Sequence, residues 1–548
     1  MNKENFDESQ QKVIKSKAKK LIVEAPAGFG KTTTMVGLIN YWISKKIIKN
    51  NQKVLCLTYT ISAANRMKKS LGEDNTFFAT NFHGFCRRVL SLYGKKVNIP
   101  SSNEFTTLIC VDTRNVKGLI SDKEYEVLNK FDSLVKSGAL NLKSIKQRLR
   151  GYNNIIRNII KSEKKLTYNS ILTFAIELLL DNPNIRNFYK KFYTCLCVDE
   201  FQDTNILGLL LIKLIESDRI VLFGDQMQQI YSFLGAIPNI FDRLLETEPY
   251  EYVRLQHNYR FSSNRDMLLL DKNIRAFRDN MNFNQSFEKS NLNFILGDTV
   301  EEEASKIVEW INTQKGNSAI LVNQDTYTSV KLKELLKNKN IDFFDATFKE
   351  TDLDFIKFQN DCLVIFQQLY QINSINKLTK KKLFVNVRKI KYNESYYQLF
   401  EAFVNHVIHE NEPDYRNNII KDILVSNSLR NYLNTINTKI IYSTIHGSKG
   451  LEWDNVVIAN FNQNEFPNYP QILDMELAEG ENLFSANKEG LRKLLNIFYV
   501  AFSRAKKNIL VAGSNIIYSK NRIKTGNISC ISSLPFIKLR RVDCDNSN

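Results

Sequence analysis

The chain has 548 residues, 43% hydrophobic and 24% charged, a balance that suits a folded protein of two to four domains and makes general disorder a poor description. No run of about 18 apolar residues occurs, which removes a membrane span, and the start, MNKENFDESQQKVIKS, lacks the apolar core of a secretion signal, so a cytoplasmic location is expected. The net charge of +18, from 76 Lys and Arg against 58 Asp and Glu spread along the chain, favours a polyanionic partner, of which nucleic acid is the commonest, although a lysine-rich proteome gives the same balance.

In chain order, LIVEA (21–25) predicts a strand, residues 25–30 a loop and KTTTMVGLINYWI (31–43) a helix. VLCLTYT (54–60) is the next strand and ISAANRMKKSL (61–71) the next helical stretch, which is the rhythm of a parallel sheet covered by helices. Residues 83–169 turn lysine- and leucine-rich with helical patterning. Strands return at TCLCVDE (194–200), RIVLFGD (219–225) and YEYVRL (250–255), so a helical segment is inserted into an α/β domain. LNFILGD (292–298), SAILVN (318–323) and IDFFDA (341–346) begin a second α/β segment, with helical EEEASKIVEWINTQ and SVKLKELLKNKN between them. Residues 351–437 are again mostly helical, and strands resume at KIIYST, NVVIAN and NILVAG. The expected domains are 1–82 with 170–262, carrying the insertion 83–169, and 263–350 with 438–548, carrying the insertion 351–437. After residue 513 the chain is polar and no element is predicted. The eight cysteines include no CxxC pair and suit buried reduced thiols; His406 and His409 have helical spacing with no cysteine or acidic residue placed to share a metal, and are read as structural.

EAPAGFGKTTT (24–34) joins a predicted strand to a predicted helix. Glycines at 28 and 30 let backbone amides approach phosphate oxygens at a helix N-terminus. Lys31 would reach the β- and γ-phosphates of ATP and Thr32 would ligate Mg²⁺. Ala25 stands where the general pattern has its first glycine. VDEFQDT ends an apolar strand in paired acids: Asp199 to hold the metal through water, Glu200 to polarise the attacking water. Arg260 and Arg504 are candidates for stabilising transition-state charge across a cleft that closes on ATP; either alone would more safely be read as a surface ion-pair residue. GDQMQQIYSFLGA (224–236) follows another apolar strand, its amide-rich half suited to phosphate and its aromatic half to something flat.

The order of these motifs resembles that of the UvrD/Rep-like helicases of superfamily 1, from Gln10 to about Leu510. The resemblance implies two RecA-like P-loop parallel-sheet domains, each with a mostly helical insertion, working as a 3′–5′ DNA translocase and helicase with ATP and Mg²⁺. FDESQ resembles the Q motif, with Gln10 on adenine. APAGFGKT resembles the Walker A loop, implying nucleotide contacts from Ala27, Gly28, Phe29, Gly30, Lys31, Thr32 and Thr33. LTYTISAA and TNFHGF resemble motifs Ia and Ib, which implies DNA contacts at Tyr59, Phe82 and His83. VDEFQDTN is similar to motif II and GDQMQQIYSFLGA to motif III, with Gln228 sensing the γ-phosphate while Tyr231 and Phe233 face DNA. Stacking of a base on Phe233 would be worth roughly 1–3 kcal/mol whatever the sequence, which ties nucleotide state to base grip in one short loop. LQHNYR resembles motif IV, with Tyr259 on adenine and Arg260 as an arginine finger; STIHGSKGLEW resembles motif V, implying a DNA contact from His446 and a nucleotide contact from Glu452; and FYVAFSRA resembles motif VI with Arg504.

Departures from the pattern bear on unwinding more than on hydrolysis. Leu234 stands where the family has arginine, Ile61 and Ser62 replace polar and basic residues, and 184 positions separate Arg260 from Thr444, so the second insertion is short, as is the first. The expected partners are single-stranded DNA and its junctions with duplex, and no membrane. DNA repair and antiviral defence are both compatible pathways. A DNA-sensing ATPase subunit that regulates a partner nuclease, with weak unwinding of its own, is the alternative. A DNA-binding module with a dead ATPase is opposed by the intact Lys31, Thr32, Asp199, Glu200, Gln228, Arg260 and Arg504. A built-in nuclease is not expected in the roughly 40 residues after motif VI.

Overall fold

Alternating buried side chains build the first sheet. The computed structural model describes residues 6–58, 64, 67, 68, 70–72, 76–350, 352–370, 373–478, 483–520 and 522–542, the side chains of 103, 106 and 233 excepted. They pack as two units divided between His257 and Asn258. The first unit holds β1 (Lys20–Glu24), β2 (Val54–Thr58), β3 (Phe77–Asn81), β4 (Cys195–Val198), β5 (Arg219–Gly224) and β6 (Glu251–Arg254). Their order is β3-β2-β4-β5-β1-β6, with every neighbouring pair parallel. Ile22, Leu55, Leu57, Leu196, Val198 and Leu222 share one hydrophobic core, and Leu21, Val23, Cys56, Cys195, Cys197 and Phe223 share another. That is the period-two alternation of a sheet covered on both faces, and each such side chain contributes about 1.5–3 kcal/mol when fully buried.

α1 (Glu8–Ile14) is started by a capping box: Asp7 accepts from Gln10 N at 2.9 Å, and Gln10 Oε1 accepts from Asp7 N at 3.1 Å. α2 (Lys31–Ser44) follows β1 and buries Met35, Leu38, Ile39 and Trp42. The inserted region contains α3 (Phe82–Tyr93), α4 (Asp122–Lys136) and α5 (Leu142–Glu163). On α5, Ile145, Leu149, Tyr152, Ile156 and Ile159 line one helical face, and they join the core that contains Ile22 and Leu222. The segment 61–71 predicted as helical lies mostly outside the described residues. Two short features escaped the sequence pattern: the edge strand β3 and a parallel ladder of Ile109–Val111 with Lys165–Thr167. A three-residue strand is too short to display a period, and β3 passes directly into α3.

The second unit repeats the plan with seven strands. These are β7 (Ser290–Gly297), β8 (Ser318–Val322), β9 (Phe344–Asp345), β10 (Ile440–Thr444), β11 (Trp453–Ile458), β12 (Ala505–Ser514) and β13 (Ile537–Arg541). The order is β9-β10-β8-β11-β12-β7-β13, again parallel throughout. α6 (Arg265–Asn280) precedes β7, and α7 (Val300–Thr313) sets Val300, Ala304, Ile307 and Trp310 against Ile295, Ile320, Tyr442 and Leu510. The insertion carries α8 (Leu353–Leu369), Lys380–Val387, α9 (Glu394–Glu410), Pro413–Val425 and a 3₁₀ stretch Leu429–Thr435. α10 (Lys488–Phe502) leads into β12.

The structure adds two features to the sequence reading. The tail after 513, left without structure by its polarity, contains a hairpin of Ile516–Ser519 with Arg522–Thr525 and supplies the edge strand β13. β13 buries only Ile537, so its sequence, IKLRR, carries almost no apolar signal. The turn 258–262, assigned to the first domain, packs in the second unit. There Asn258 Oδ1 accepts from Arg260 N and Phe261 N, each at 3.0 Å, and Phe261 is fully buried beside Phe502. Among the described residues all the cysteines are free, no cluster of three or more His, Cys, Asp or Glu side chains could hold a metal ion, and no helix is long and apolar enough to cross a membrane.

Candidate nucleotide and strand-contact sites

Strand order brings three loops to one edge of the first sheet. β1 lies next to β5 and β5 next to β4, with Glu24 paired to Gly224 and Val198 to Leu222. Ala25 N donates to Gly224 O at 2.8 Å, and Asp199 N to Leu57 O at 2.8 Å. The loop 25–30, the acids 199–200 and the turn 225–228 therefore all leave from carboxyl ends of adjacent strands, where open α/β sheets bind ligands. Gly28 (φ 84°) and Gly30 (φ 75°) adopt the left-handed region, which costs other residues roughly 1–2 kcal/mol. Gly30 caps α2 without any side-chain acceptor, so the first-turn amides face the loop with the positive end of the helix behind them. Thr32 and Thr33 are exposed at this end, while Ala27 and Phe29 are buried.

Lys31 points back at the acids. Its Nζ lies 3.0 Å from Asp199 Oδ1 and donates to Glu200 Oε1. Burial works against its charge, but Asp199 and Glu200 outweigh it and hold the ammonium above its ordinary range. Burial raises the Asp199 carboxyl, opposed by Lys31. Asp199 with Thr32, beside a loop that presents amides and one lysine, is an all-oxygen donor pair next to a phosphate cradle. Those residues fit Mg²⁺ bound with a nucleoside triphosphate.

Two residues absent from the sequence-level candidates complete the site. Gln202, wholly buried, donates Nε2 to Glu200 Oε2 at 2.6 Å, and its Oε1 accepts from Asp225 N at 3.0 Å. Asp225, also wholly buried, accepts from Met227 N at 3.1 Å and from Gln228 Nε2 at 3.0 Å. A hydrogen-bonded line thus runs Lys31–Glu200–Gln202–Asp225–Gln228. Gln229 Nε2 extends it to Gln202 O (2.6 Å) and Ile237 O (2.9 Å), bridging the turn that carries Tyr231 and Phe233. A Cβ at Gly224 would sit 2.3 Å from Gln202 Oε1; the glycine of GDQ is required by that contact. Buried polar residues inside VDEFQDT and GDQ were the available signal, hidden because the partner lies 23 residues away.

The strand-contact candidates are placed unevenly. Tyr231 is half-buried, Leu234 is exposed, and Phe233 lies in the 3₁₀ turn Ser232–Leu234, its side chain outside the described atoms, as is all of Tyr59. Phe82 is half-buried at the start of α3. His83 packs edge-on against Tyr168 at 6.3 Å, and burial, aided by Arg87, pushes its imidazole down to about 4, which leaves it neutral at physiological pH. Gln10 is buried and held by the Asp7 capping box.

In the second unit Arg260, Glu452 and Arg504 come together. Arg260 donates to Ser503 O and to Glu452 Oε1. Arg504, 3% exposed, donates to Val500 O (3.0 Å), Leu451 O (3.2 Å) and Ser503 Oγ (3.0 Å). Tyr259 is exposed, and His446 lies on the turn His446–Ser448 after β10. A network that sequence reasoning missed anchors the arginines: Tyr499 Oη donates to Asp271 at 3.0 Å, Arg275 Nε to Asp271 at 3.3 Å, and Arg275 lies over the Tyr499 ring at 4.5 Å. Asn258 Nδ2 reaches Asp271 at 3.5 Å, so the turn bearing Arg260 and the helix leading to Arg504 share one buried support.

Residues 6–249 match the UvrD/REP helicase N-terminal domain family and 349–515 the UvrD-like helicase C-terminal domain family, together three quarters of the chain. A probable DNA helicase II homolog of Mycoplasma capricolum is 26% identical, the alignment covering 57% of this chain and 44% of that protein. The ATP-dependent DNA helicase Rep of Buchnera aphidicola is 27% identical over 62% of this chain and 56% of its own length. A probable DNA helicase II homolog of Mycoplasma genitalium is 25% identical over 92% of this chain and 84% of its own. The chain spans about half the length of the first two.

Proposed function

Since this chain belongs to the UvrD/Rep-like helicases, we propose that it hydrolyses ATP to move 3′–5′ along single-stranded DNA and separate strands at duplex junctions. The observation that supports the reading best is the line of hydrogen bonds from Lys31 to Gln228 and across the aromatic turn. When ATP enters, its phosphates replace the carboxylates as partners of Lys31, and the amides at the start of α2 take the remaining oxygens. Thr32 and Asp199 would hold magnesium, which would supply positive charge to the phosphates. Glu200, released by Lys31 and still oriented by Gln202, accepts the proton of the attacking water. Gln228 senses the γ-phosphate. Loss of that phosphate shifts Gln228 and Asp225, and through Gln229 the turn that bears Tyr231 and Phe233. Arg260 is the group that stabilises the charge developing on the transferring phosphoryl, exchanging its pair with Glu452 for phosphate and leaving Glu452 to the nucleotide; Arg504, buried on Val500 O, Leu451 O and Ser503 Oγ, supports the segment that Arg260 contacts through Ser503 O.

On the DNA side, aromatic stacking by Phe233 and Tyr231 grips bases without regard to sequence, and the net charge of +18 supplies attraction to the backbone. One stacked base-pair step costs on average about 1.4 kcal/mol to open, so advance by about one base pair per ATP is energetically modest.

The test is the ATPase rate of the purified chain with and without an oligonucleotide, with Lys31→Ala as blank. Stimulation of tenfold or more is expected, followed by displacement of a strand from a 3′-tailed but not a 5′-tailed duplex. A flat rate equal to the blank would refute the reading; displacement only from the 5′-tailed duplex would refute the polarity.

A further inference from the structure

Arg430 lies outside every motif discussed above, in the 3₁₀ stretch Leu429–Thr435 that returns the chain from the inserted helices to the second sheet. Its guanidinium is spent on backbone carbonyls: Nε donates to Phe348 O at 2.7 Å, Nη2 to Ala346 O at 2.9 Å and Nη1 to Gly447 O at 3.2 Å. The fork also lies over the Phe348 ring at 5.6 Å. Phe348 packs on Phe355 (4.7 Å) and Tyr396 (5.0 Å), both in the inserted helices, and Leu429 N donates to Gln359 Oε1 on α8 at 3.0 Å. One side chain therefore joins the entry to the insertion, the exit from it, and the turn His446–Ser448.

Gly447 records the same contact from the other side. Its φ is not in the left-handed region, so the backbone itself does not require glycine. A Cβ there would stand 2.4 Å from Arg430 Nη2, and 2.9 and 3.0 Å from the Ser443 and Thr444 hydroxyls. The turn also keeps bonds of its own, Gly447 N to Thr444 Oγ1 (3.1 Å) and Ser448 Oγ to Ile445 O (2.7 Å), and Ile445 N ties it to Val322 O of β8 (2.8 Å). Those bonds fix its shape and its seat on the sheet, and Arg430 adds the link to the entry to and exit from the inserted helices. A planar group with five donors is suited to three carbonyls from two loops, and an ammonium on a flexible stem is not.

We infer that Arg430 is a positioning residue that sets the turn bearing His446 for contact with the DNA backbone, and so makes the strand grip of the second unit depend on the inserted helices. This rests on the proposed function and on the DNA contact that the resemblance implies for His446. The measurement is the oligonucleotide concentration that half-stimulates ATPase, alongside DNA-free ATPase and the thermal midpoint. Arg430→Lys keeps the charge and loses the fork. It is expected to leave DNA-free ATPase within twofold and the midpoint within a few degrees, while raising the half-stimulating concentration about tenfold. Arg430→Ala is expected to do at least as much. Gly447→Ala, which displaces the guanidinium, is expected to match Arg430→Lys in the wild-type background and to add less than threefold in the Arg430→Ala background, because the clashing group has gone.

A response of Arg430→Lys equal to wild type would overturn the inference, and so would full additivity of Gly447→Ala with Arg430→Ala. Loss of DNA-free ATPase and of thermal stability in Arg430→Lys, in proportion to the loss of stimulation, would reduce the residue to a support of the fold and overturn it as well. A wild-type chain that oligonucleotide does not stimulate would instead refute the proposed function, and with it the task given to the turn.

Discussion

Gln202→Glu isolates one bond in the line from Lys31 to Gln228. The variant is nearly isosteric and keeps the oxygen that accepts from Asp225 N at 3.0 Å, but it replaces the amide that donates to Glu200 at 2.6 Å with a second carboxylate oxygen. Two carboxylates at that separation cannot both ionise, so they share a proton. A hydrogen bond to a charged group is worth roughly 1.5–3 kcal/mol. If that energy serves to hold Glu200 for proton abstraction, its loss appears as about a 10- to 100-fold fall in kcat, at 1.4 kcal/mol per decade. The shared proton should also move the acidic limb of the pH–rate profile upward. Steady-state ATPase at saturating ATP and oligonucleotide, from pH 6 to 9, measures both effects. Gln202→Leu serves as the contrast: it also strands the buried Asp225 N–H and should lower thermal stability, by about 1–3 kcal/mol for that group alone. A Gln202→Glu enzyme with kcat within twofold of wild type and an unshifted profile would refute the positioning argument.

Three further outcomes are expected. Burial, against the opposing bond from Asn460 N, raises the wholly buried Glu303 carboxyl to about 7 from an ordinary 4.5. The folded chain then keeps a proton that the unfolded chain releases, so this group's contribution is complete below pH 4.5 and is lost as pH climbs through 7. Glu303→Gln should gain stability over wild type across that window, by about 3 kcal/mol at its upper end; parallel melting curves for the two proteins would contradict this. Gly224→Ala should lower the melting temperature by several degrees, since the new methyl meets both Gln202 Oε1 at 2.3 Å and Phe241 at 2.8 Å, and the loss should shrink in a Gln202→Ala background. Arg260→Lys loses the fork that spans Ser503 O and Glu452; hydrolysis should fall at least 100-fold while binding of a fluorescent ATP analogue stays within about threefold, arginine fingers being worth 10³–10⁵ in rate.

The fold was legible wherever burial imposed a period. β1, β2, β4, β5, β8, β10 and β11 are short apolar runs whose limits the sequence placed within a few residues, because every side chain on both faces had to leave water. β3 and β13 were missed because they are edge strands. IKLRR exposes its lysine and arginines, as edges do. The polar tail gave no sign of its hairpin for the same reason: Arg522–Thr525 is exposed at every position.

The proposed chemistry was legible in the residues alone. A P-loop, paired acids and an amide-rich turn each announce themselves within a dozen residues, because phosphate cradles, strand ends and helix starts are local structures set by glycine, proline and hydrogen-bonding side chains. Which groups meet was set by the tertiary structure alone. Gln202 and Asp225 are hydrogen-bonded because β4 and β5 are neighbours in the sheet. Arg504 proved to be packed against carbonyls, and Arg430 proved to hold a turn that carries a candidate DNA contact. These pairings join residues brought together by strand order and insertion packing, and hydrogen-bond partners chosen across that distance leave no period in the chain that bears them.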